Sequence, residues 1–539
     1  MRILTLLCLL SPVTALAADG LPPAAPAAVR AHVGFLADDL LEGRATGSRG
    51  YDIAARYVAA QLESYGIQPA GQEGGWLQPV MFVQGTRVIP QGRAALTRDG
   101  QTTELEPAKD FIPGVNYFTA DAEVSAPLVF VGFGIHAPKY GYDDFGDIDL
   151  TGKIAVVLWD SPPTLESSIR AHFSRERTRE IARRGAVGMV SLPTPKSEAR
   201  SPFEKSVLQS VLPRRRLVDD AGQPVEAFPE IRASASLSLG TAELIFAGAP
   251  KTLEQVWADA EAGVPQAFDL SGTMTLVNRT ALGKSESANV VGLLPGADPV
   301  LKDEYVVFSA HLDHLGRGAT VNGDNIYNGA LDNASGIAVM LETARLLASA
   351  TERPRRSILF VAVTGEENGL LGSERFAKSP TVPREGLIAN VNMDMPVLLY
   401  PAAGFTAFGA EHSTLGEVAR RALEAEGLEM VPDQTPDEVI FVRSDQYSFV
   451  KEGIPALYVD DGKRSSDPDI DPEQIFREHM RRDYHMPSDD MRLPIHWESM
   501  AALARVNARI GLGIANDPER PSWLPGDFFG DTFGKTAQE

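Results

Sequence analysis

The chain has 539 residues, too many for one ordinary hydrophobic core, and its 44% hydrophobic and 23% charged content reads as a soluble globular protein of about two to four domains. Fifty Lys and Arg stand against 72 Asp and Glu, a formal net charge of -22 that argues against a nucleic-acid or anionic-membrane partner. The one cysteine, Cys8, lies in the N-terminal stretch, so disulfides and thiolate sites are excluded elsewhere and any metal must be held by His, Asp and Glu.

Residues 1–18 carry Arg2, an apolar run and Ala15-Leu16-Ala17, the pattern of a secretory signal peptide cleaved near Ala17 or Ala18. The run is too short to span a bilayer of roughly 30 Å, so an exported protein, periplasmic or extracellular, is expected rather than a stable membrane anchor. Residues 19–121 read as the first part of the main domain. Helical spacing at Val33, Leu36, Leu40 and Leu41 is broken by Gly43-Arg44-Ala45-Thr46-Gly47-Ser48 and resumes through Ala54, Ala55, Val58, Ala59 and Leu62. A basic turn between two helices normally serves packing.

Residues 122–278 change to β-rich segments at 127–132 and 153–158, with an arginine-rich helix at 175–184, and read as an inserted domain. His136 and His172 there are isolated, and a lone histidine is more often a surface or satisfied core residue. From 279 to 515 strand and helix patterns alternate, which predicts an α/β fold with a mainly parallel sheet between helices. The expected strands are 290–294, 305–309, 358–363, 388–393 and 455–459, and the expected helices include 336–350 and 415–426. Residues 516–539, rich in Pro, Gly and Asp, read as a loosely held tail.

In open α/β sheets, ligands bind at the carboxyl ends of the strands. His311 follows the 305–309 strand, Glu366 and Glu367 the 358–363 strand, and Asp394 the 388–393 strand; Asp332 precedes a helix on the same edge, and His485 lies in a later loop. Carboxylates and imidazoles without thiolate suit catalytic Zn²⁺, with Mn²⁺ or Co²⁺ as substitutes. If His311, Asp332, Glu367, Asp394 and His485 bind two such ions with Asp332 bridging, the buried charge nearly cancels. Neighbouring Glu366 and Glu367 leave the strand end in different directions, so one binds metal and Glu366 serves as general base. Asp313, two residues beyond His311, can accept from its imidazole N–H as an orienting group. Asp460-Asp461 reads as an acidic turn outside the site.

Five segments in order, HLDH (311–314), GALDNASG (329–336), EENGLLGS (366–373), NMD (392–394) and YHMPSDD (484–490), resemble the M28 family of co-catalytic zinc aminopeptidases. GRATGSRG resembles that family's N-terminal segment, and residues 122–278 resemble the protease-associated (PA) domain inserted in many members. The resemblance implies a zinc-exopeptidase fold, Asp332 bridging two Zn²⁺, His311 and Asp394 on one ion, Glu367 and His485 on the other, Glu366 as general base, and a cis peptide at Asp332-Asn333.

His314 reads as loop support, since the ligand set is complete without it. His412 and residues 443–447 fall where the family's loops line the substrate cleft. Arg443 is therefore a candidate substrate contact, and Tyr447 a candidate donor to the tetrahedral intermediate; Ser413 and Asp445 read as helix caps. No Gly-x-Ser-x-Gly elbow, P-loop or His-Glu-x-x-His helix occurs. The expected function is removal of N-terminal residues from peptides by metal-activated water. A carboxypeptidase of the same fold is the first alternative, ahead of a glutaminyl cyclase or a non-catalytic binding protein. Oligomeric state is left open.

Overall fold

A computed structural model describes residues 20–534. The expected signal peptide at 1–18, with Cys8, lies outside them. Helices α1 (Pro26–Leu36) and α2 (Arg49–Ser64) form as their apolar spacing predicts, burying Val29, Val33 and Leu36 on one and Ala54, Val58 and Leu62 on the other. The Ser48 hydroxyl caps α2 by accepting from the Tyr51 N–H.

The chain next runs through β1 (Leu77–Arg87), β2 (Arg93–Arg98), β3 (Gln101–Leu105), β4 (Phe111–Pro113) and β5 (Asp121–Phe130). It continues through β6 (Ile154–Leu158), α3 (Ser167–Arg183), β7 (Gly188–Leu192), α4 (Phe203–Gln209), β8 (Arg214–Leu217) and β9 (Ala233–Leu237). A 27-residue strand, β10 (Phe268–Leu294), joins two halves of the molecule. Its first part pairs with β2 and β5 in a β-rich module, and its second part pairs antiparallel with β1 along the main sheet.

The module therefore begins near Arg93 rather than at 122. Its early strands, RAALTR and QTTEL, carry no long apolar run, and only cross-strand pairing with each other and with β10 makes them sheet. Conversely β8, inside the expected insert, pairs with β1 of the main sheet.

The main sheet follows the predicted strands closely. β11 (Tyr305–His311) lies parallel between β12 (Ser357–Val363) and β13 (Leu387–Asn392); the separate strand β14 (Gly404–Phe408), not expected from the pattern, pairs antiparallel with β15 (Ala456–Asp461), which itself runs parallel to β13. Every residue of β11 and β12 is buried, as strands covered on both faces must be. One face carries α1, α2, α5 (Gly336–Ala348), α7 (Leu415–Ala425) and α10 (Trp497–Asn516), whose apolar stripes share a core with Val306, Phe308 and Phe360. The opposite face is covered by α6 (Leu371–Lys378) and α8 (Gln446–Val450), through Phe376 and Phe449. Before α10, helix α9 (Pro472–Arg482) leads into the His485 loop.

Two expectations are corrected. The stretch after Asn516 is not a loose tail over its described length: Phe529 in α11 (Phe528–Phe533) is fully buried, and the Trp523 indole N–H donates to the Gly453 carbonyl at 3.1 Å. A few large rings anchor a segment whose composition alone looks like loop. Asp460 and Asp461 are not an exposed turn; they end β15 and are buried, with Asp461 accepting from the Tyr400 hydroxyl and Asp460 facing the Tyr458 hydroxyl, at 3.0 Å each. Among the described residues no helix is long and apolar enough to cross a membrane.

Candidate metal centre

Because β11, β12 and β13 run parallel, their carboxyl ends share one edge, and each delivers a polar side chain there. His311 is the last residue of β11, Glu366 and Glu367 follow β12, and Asp394 follows β13. Asp332 reaches the same edge from the turn before α5, where the Asp332-Asn333 peptide is cis, as the family resemblance implies.

The two carboxylate oxygens of Asp332 face different histidines. Oδ1 lies 3.2 Å from His311 Nε2, which is also 3.0 Å from Asp394 Oδ1. Oδ2 lies 3.1 Å from His485 Nε2, which is also 3.3 Å from Glu367 Oε2. The other four side chains assigned from the sequence as ligands thus meet around Asp332. His314 joins them: its Nδ1 is 2.7 Å from Glu367 Oε1 and 3.9 Å from Asp332 Oδ1. The imidazole was expected only to support its loop, yet it forms a potential ligand group with Asp332 and Glu367. Its ring packs on Gly329, where φ is +62° and a Cβ would lie 2.6 Å from the imidazole, so only glycine allows this approach.

A dense backbone frame fixes these positions. Asp489 accepts from the Leu331 and Asp332 N–H groups through its two oxygens, at 2.8 and 3.0 Å. The Asn333 amide donates to the Met393 carbonyl and accepts from the Met395 N–H, each at 3.0 Å, tying the Asp332 turn to both neighbours of Asp394. The Tyr458 hydroxyl, beside Asp460, also lies within hydrogen-bond distance of the Asp394 carbonyl. Arg44, buried in the basic turn between α1 and α2, donates to the carbonyls of Leu36, Leu312, Asn328 and Gly329, and so clamps the His311 and Asp332 loops to α1. Only the GRATGSRG segment hinted at Arg44, and only the YHMPSDD segment contained Asp489; neither spacing showed what the side chains reach.

The orienting role of Asp313 is relocated. His311 Nδ1 faces the Asp313 backbone carbonyl at 3.1 Å, while the Asp313 carboxylate accepts from Thr46 Oγ1 at 2.8 Å and from the Glu366 N–H at 3.2 Å. Burial raises the pKa of Asp313, with His311 opposing. Asp313 thus supports the general-base candidate's backbone rather than the imidazole through its side chain.

The substrate candidates are placed differently from expectation. Tyr447 is buried in α8, and its hydroxyl is 3.0 Å from His172 Nδ1 on α3, with the Arg175 guanidinium over its ring. That hydroxyl is engaged at a contact with the β-rich module, because α3 packs across α8. Arg443 is half-exposed and pairs with Glu438 at 3.1 Å. His412 binds Asp527 at 2.6 Å and stacks on Phe441, which ties the C-terminal segment down. Asp445 makes no side-chain cap to α8; burial raises its carboxyl to about 7, within electrostatic reach of His311 and Asp394.

The electrostatics concentrate at the shared edge. Burial pushes Glu366 well above the ordinary carboxylate range, with Asp394, Glu367 and Asp445 adding to the rise and His311 opposing it. Burial alone would lower His311, but Asp394, Glu366 and Asp332 raise it well above its usual value. Burial would likewise raise Asp332, but His314, His311 and His485 hold it well below the ordinary range.

The donor set fits divalent cations. Glu367 Oε1 and both His314 nitrogens are buried without a hydrogen-bond partner, although Glu367 and His314 approach closely. Carboxylates and imidazoles converging at about 3 Å in a largely buried cluster need positive charge to offset their desolvation. Oxygen and nitrogen donors without sulfur match Zn²⁺ in an open site.

Comparisons agree with this chemistry. The chain is 38% identical over 116 residues to "Aminopeptidase NAALADL1" of Mus musculus, a match covering 21% of this chain and 14% of the mouse protein. It is 37% identical over 107 residues to "Probable zinc metalloprotease" of Pyrenophora teres f. teres (strain 0-1), covering 20% and 22%. The matches therefore span less than a quarter of each of these relatives. In fold it is similar to the aminopeptidase from Aneurinibacillus sp. strain AM-1, with a TM-score of 0.54 at 19% identity, over 92% of this chain and 96% of that one. Residues 289–510, which contribute His311, Asp332, Glu366, Glu367, Asp394 and His485, match the model of Peptidase family M28.

Proposed function

We infer that the protein is an exported dinuclear zinc aminopeptidase that removes N-terminal residues from peptides. The observation that carries this reading is the division of Asp332, with Oδ1 toward His311 and Oδ2 toward His485, which suits a carboxylate shared by two cations. His311 and Asp394 would hold one ion, Glu367 and His485 the other, with Mn²⁺ or Co²⁺ as substitutes. When bound, the ions would polarise the scissile carbonyl and lower the pKa of the attacking water.

Glu366 takes the proton from that water and passes it to the leaving amine. Desolvation, with Asp394 and Glu367 beside it, raises its affinity for a proton, as a group that accepts one and then donates it requires. Asp313 and Thr46 hold the Glu366 backbone while it does so. The β-rich module, proposed as a PA-like domain, would roof this edge through α3 and α4, and would admit chain ends in preference to folded segments. Export rests on the sequence of residues 1–18.

Metal analysis combined with cleavage of a peptide library bearing free and blocked termini tests the reading. Two zinc ions per chain and cleavage only where the amino terminus is free are expected. One tightly bound ion with full activity would remove the bridging role of Asp332; cleavage from the carboxyl terminus would make the protein a carboxypeptidase.

A further inference from the structure

Two of the three histidines at the centre, His311 and His485, are supported by different parts of the molecule. His311 Nδ1 faces the Asp313 carbonyl, within the main domain. His485 Nδ1 instead lies 3.3 Å from the side-chain amide nitrogen of Gln209, the last residue of α4, in the segment between the two module strands β7 and β9. Lys205 on α4 places its Nζ 3.5 Å from the Met480 carbonyl and 5.2 Å from the centre of the Tyr484 ring, which itself stacks on His485 at 3.9 Å. On β8, Arg214 and Arg216 donate to the carbonyls of Glu367 and Asn368 at 3.5 and 3.4 Å. One half of the centre is thus bounded by residues 205–216.

A neutral imidazole carries one N–H. For Nε2 of His485 to offer its lone pair to a cation, Nδ1 must hold that hydrogen and needs an acceptor. A glutamine amide presents an acceptor or a donor at the same place, exchanged by a half-turn of its last torsion. With the Gln209 amide nitrogen toward Nδ1, the imidazole N–H sits on Nε2 and points at Asp332 and Glu367. With Gln209 Oε1 toward Nδ1, Nε2 is free to bind metal.

We propose that Gln209 is a positioning residue that sets the tautomer and orientation of His485, so that the ion held by Glu367 and His485 depends on the inserted segment while the ion held by His311 and Asp394 does not. This rests on the dinuclear reading above. Partners one step outside a metal's ligands typically contribute about 10- to 100-fold in affinity.

Zinc binding to the full chain, measured by competition with a chromophoric chelator, tests it. Wild type should bind two ions. Gln209→Leu should weaken one of them about 10- to 100-fold and leave the other within about twofold. Gln209→Glu, which keeps an acceptor, should hold both. His485→Ala should lose the same ion, and adding Gln209→Leu to it should change nothing further. Gln209→Leu binding both ions as wild type does, or weakening both equally, would overturn the proposal while leaving the dinuclear centre standing. A wild-type chain that binds fewer than two ions would overturn the dinuclear reading itself, and the proposal with it.

Discussion

Arg44→Met removes the clamp between α1 and the two loops that carry His311 and Asp332. The guanidinium is 1% exposed, and burial lowers its pKa only to about 10, with Asp489 and Asp332 opposing the fall, so it is charged at neutral pH. Methionine keeps much of the volume and none of the donors, leaving the carbonyls of Leu36, Leu312, Asn328 and Gly329 without this partner. Hydrogen bonds to a charged group contribute about 1.5–3 kcal/mol each, and four would sum to roughly 6–12 kcal/mol. The variant no longer has to desolvate a guanidinium, which recovers several kcal/mol, so a net loss of about 3–5 kcal/mol is expected. Lysine should not rescue it, since a compact ammonium lacks the planar fork that spans four acceptors. Chemical denaturation reads the stability and chelator competition reads the zinc affinity, and both should fall. A variant within about 0.5 kcal/mol of wild type, with unchanged zinc binding, would refute the clamp.

Glu366→Gln should retain fold and two zinc ions yet lose about 10²- to 10⁴-fold in kcat; a variant with wild-type turnover would remove the base assignment. Asp489→Asn keeps the shape but replaces one of the two oxygens that accept from the Leu331 and Asp332 N–H groups by an NH₂ donor, and should lower zinc affinity, measured by the same competition, by about tenfold. His172, beside Tyr447, Phe528 and Phe533, is lowered by burial to about 4, with Lys451, Arg175 and Arg179 adding to the fall. The folded chain therefore keeps it neutral where the unfolded chain takes a proton near 6.5. Its contribution is complete above pH 6.5 and is lost as pH falls toward 4, by up to about 3 kcal/mol. Denaturation midpoints of wild type should drop across that window more steeply than those of His172→Gln; parallel profiles would count against the assignment.

The sequence alone determined the strands at 290–294, 305–309, 358–363, 388–393 and 455–459 and the side chains at their ends, because strand spacing and strand termini are local properties. It also marked His311, Asp332, Glu366, Glu367, Asp394 and His485 as one set, since their motifs occur in a recognisable order. It could not place the start of the β-rich module, because β2 and β3 carry no long apolar run and β4 is only three residues long, so none reads as a strand until β10 pairs with β2 and β9 with β4. Nor could it find the supports. Arg44 lies 268 to 285 positions from three of its acceptors, Asp489 lies 157 from Asp332, and Gln209 lies 276 from His485. Those contacts exist because the parallel sheet brings loops from distant segments to one buried edge. There, an unpaired polar group costs more free energy than the ordering of the segment that satisfies it.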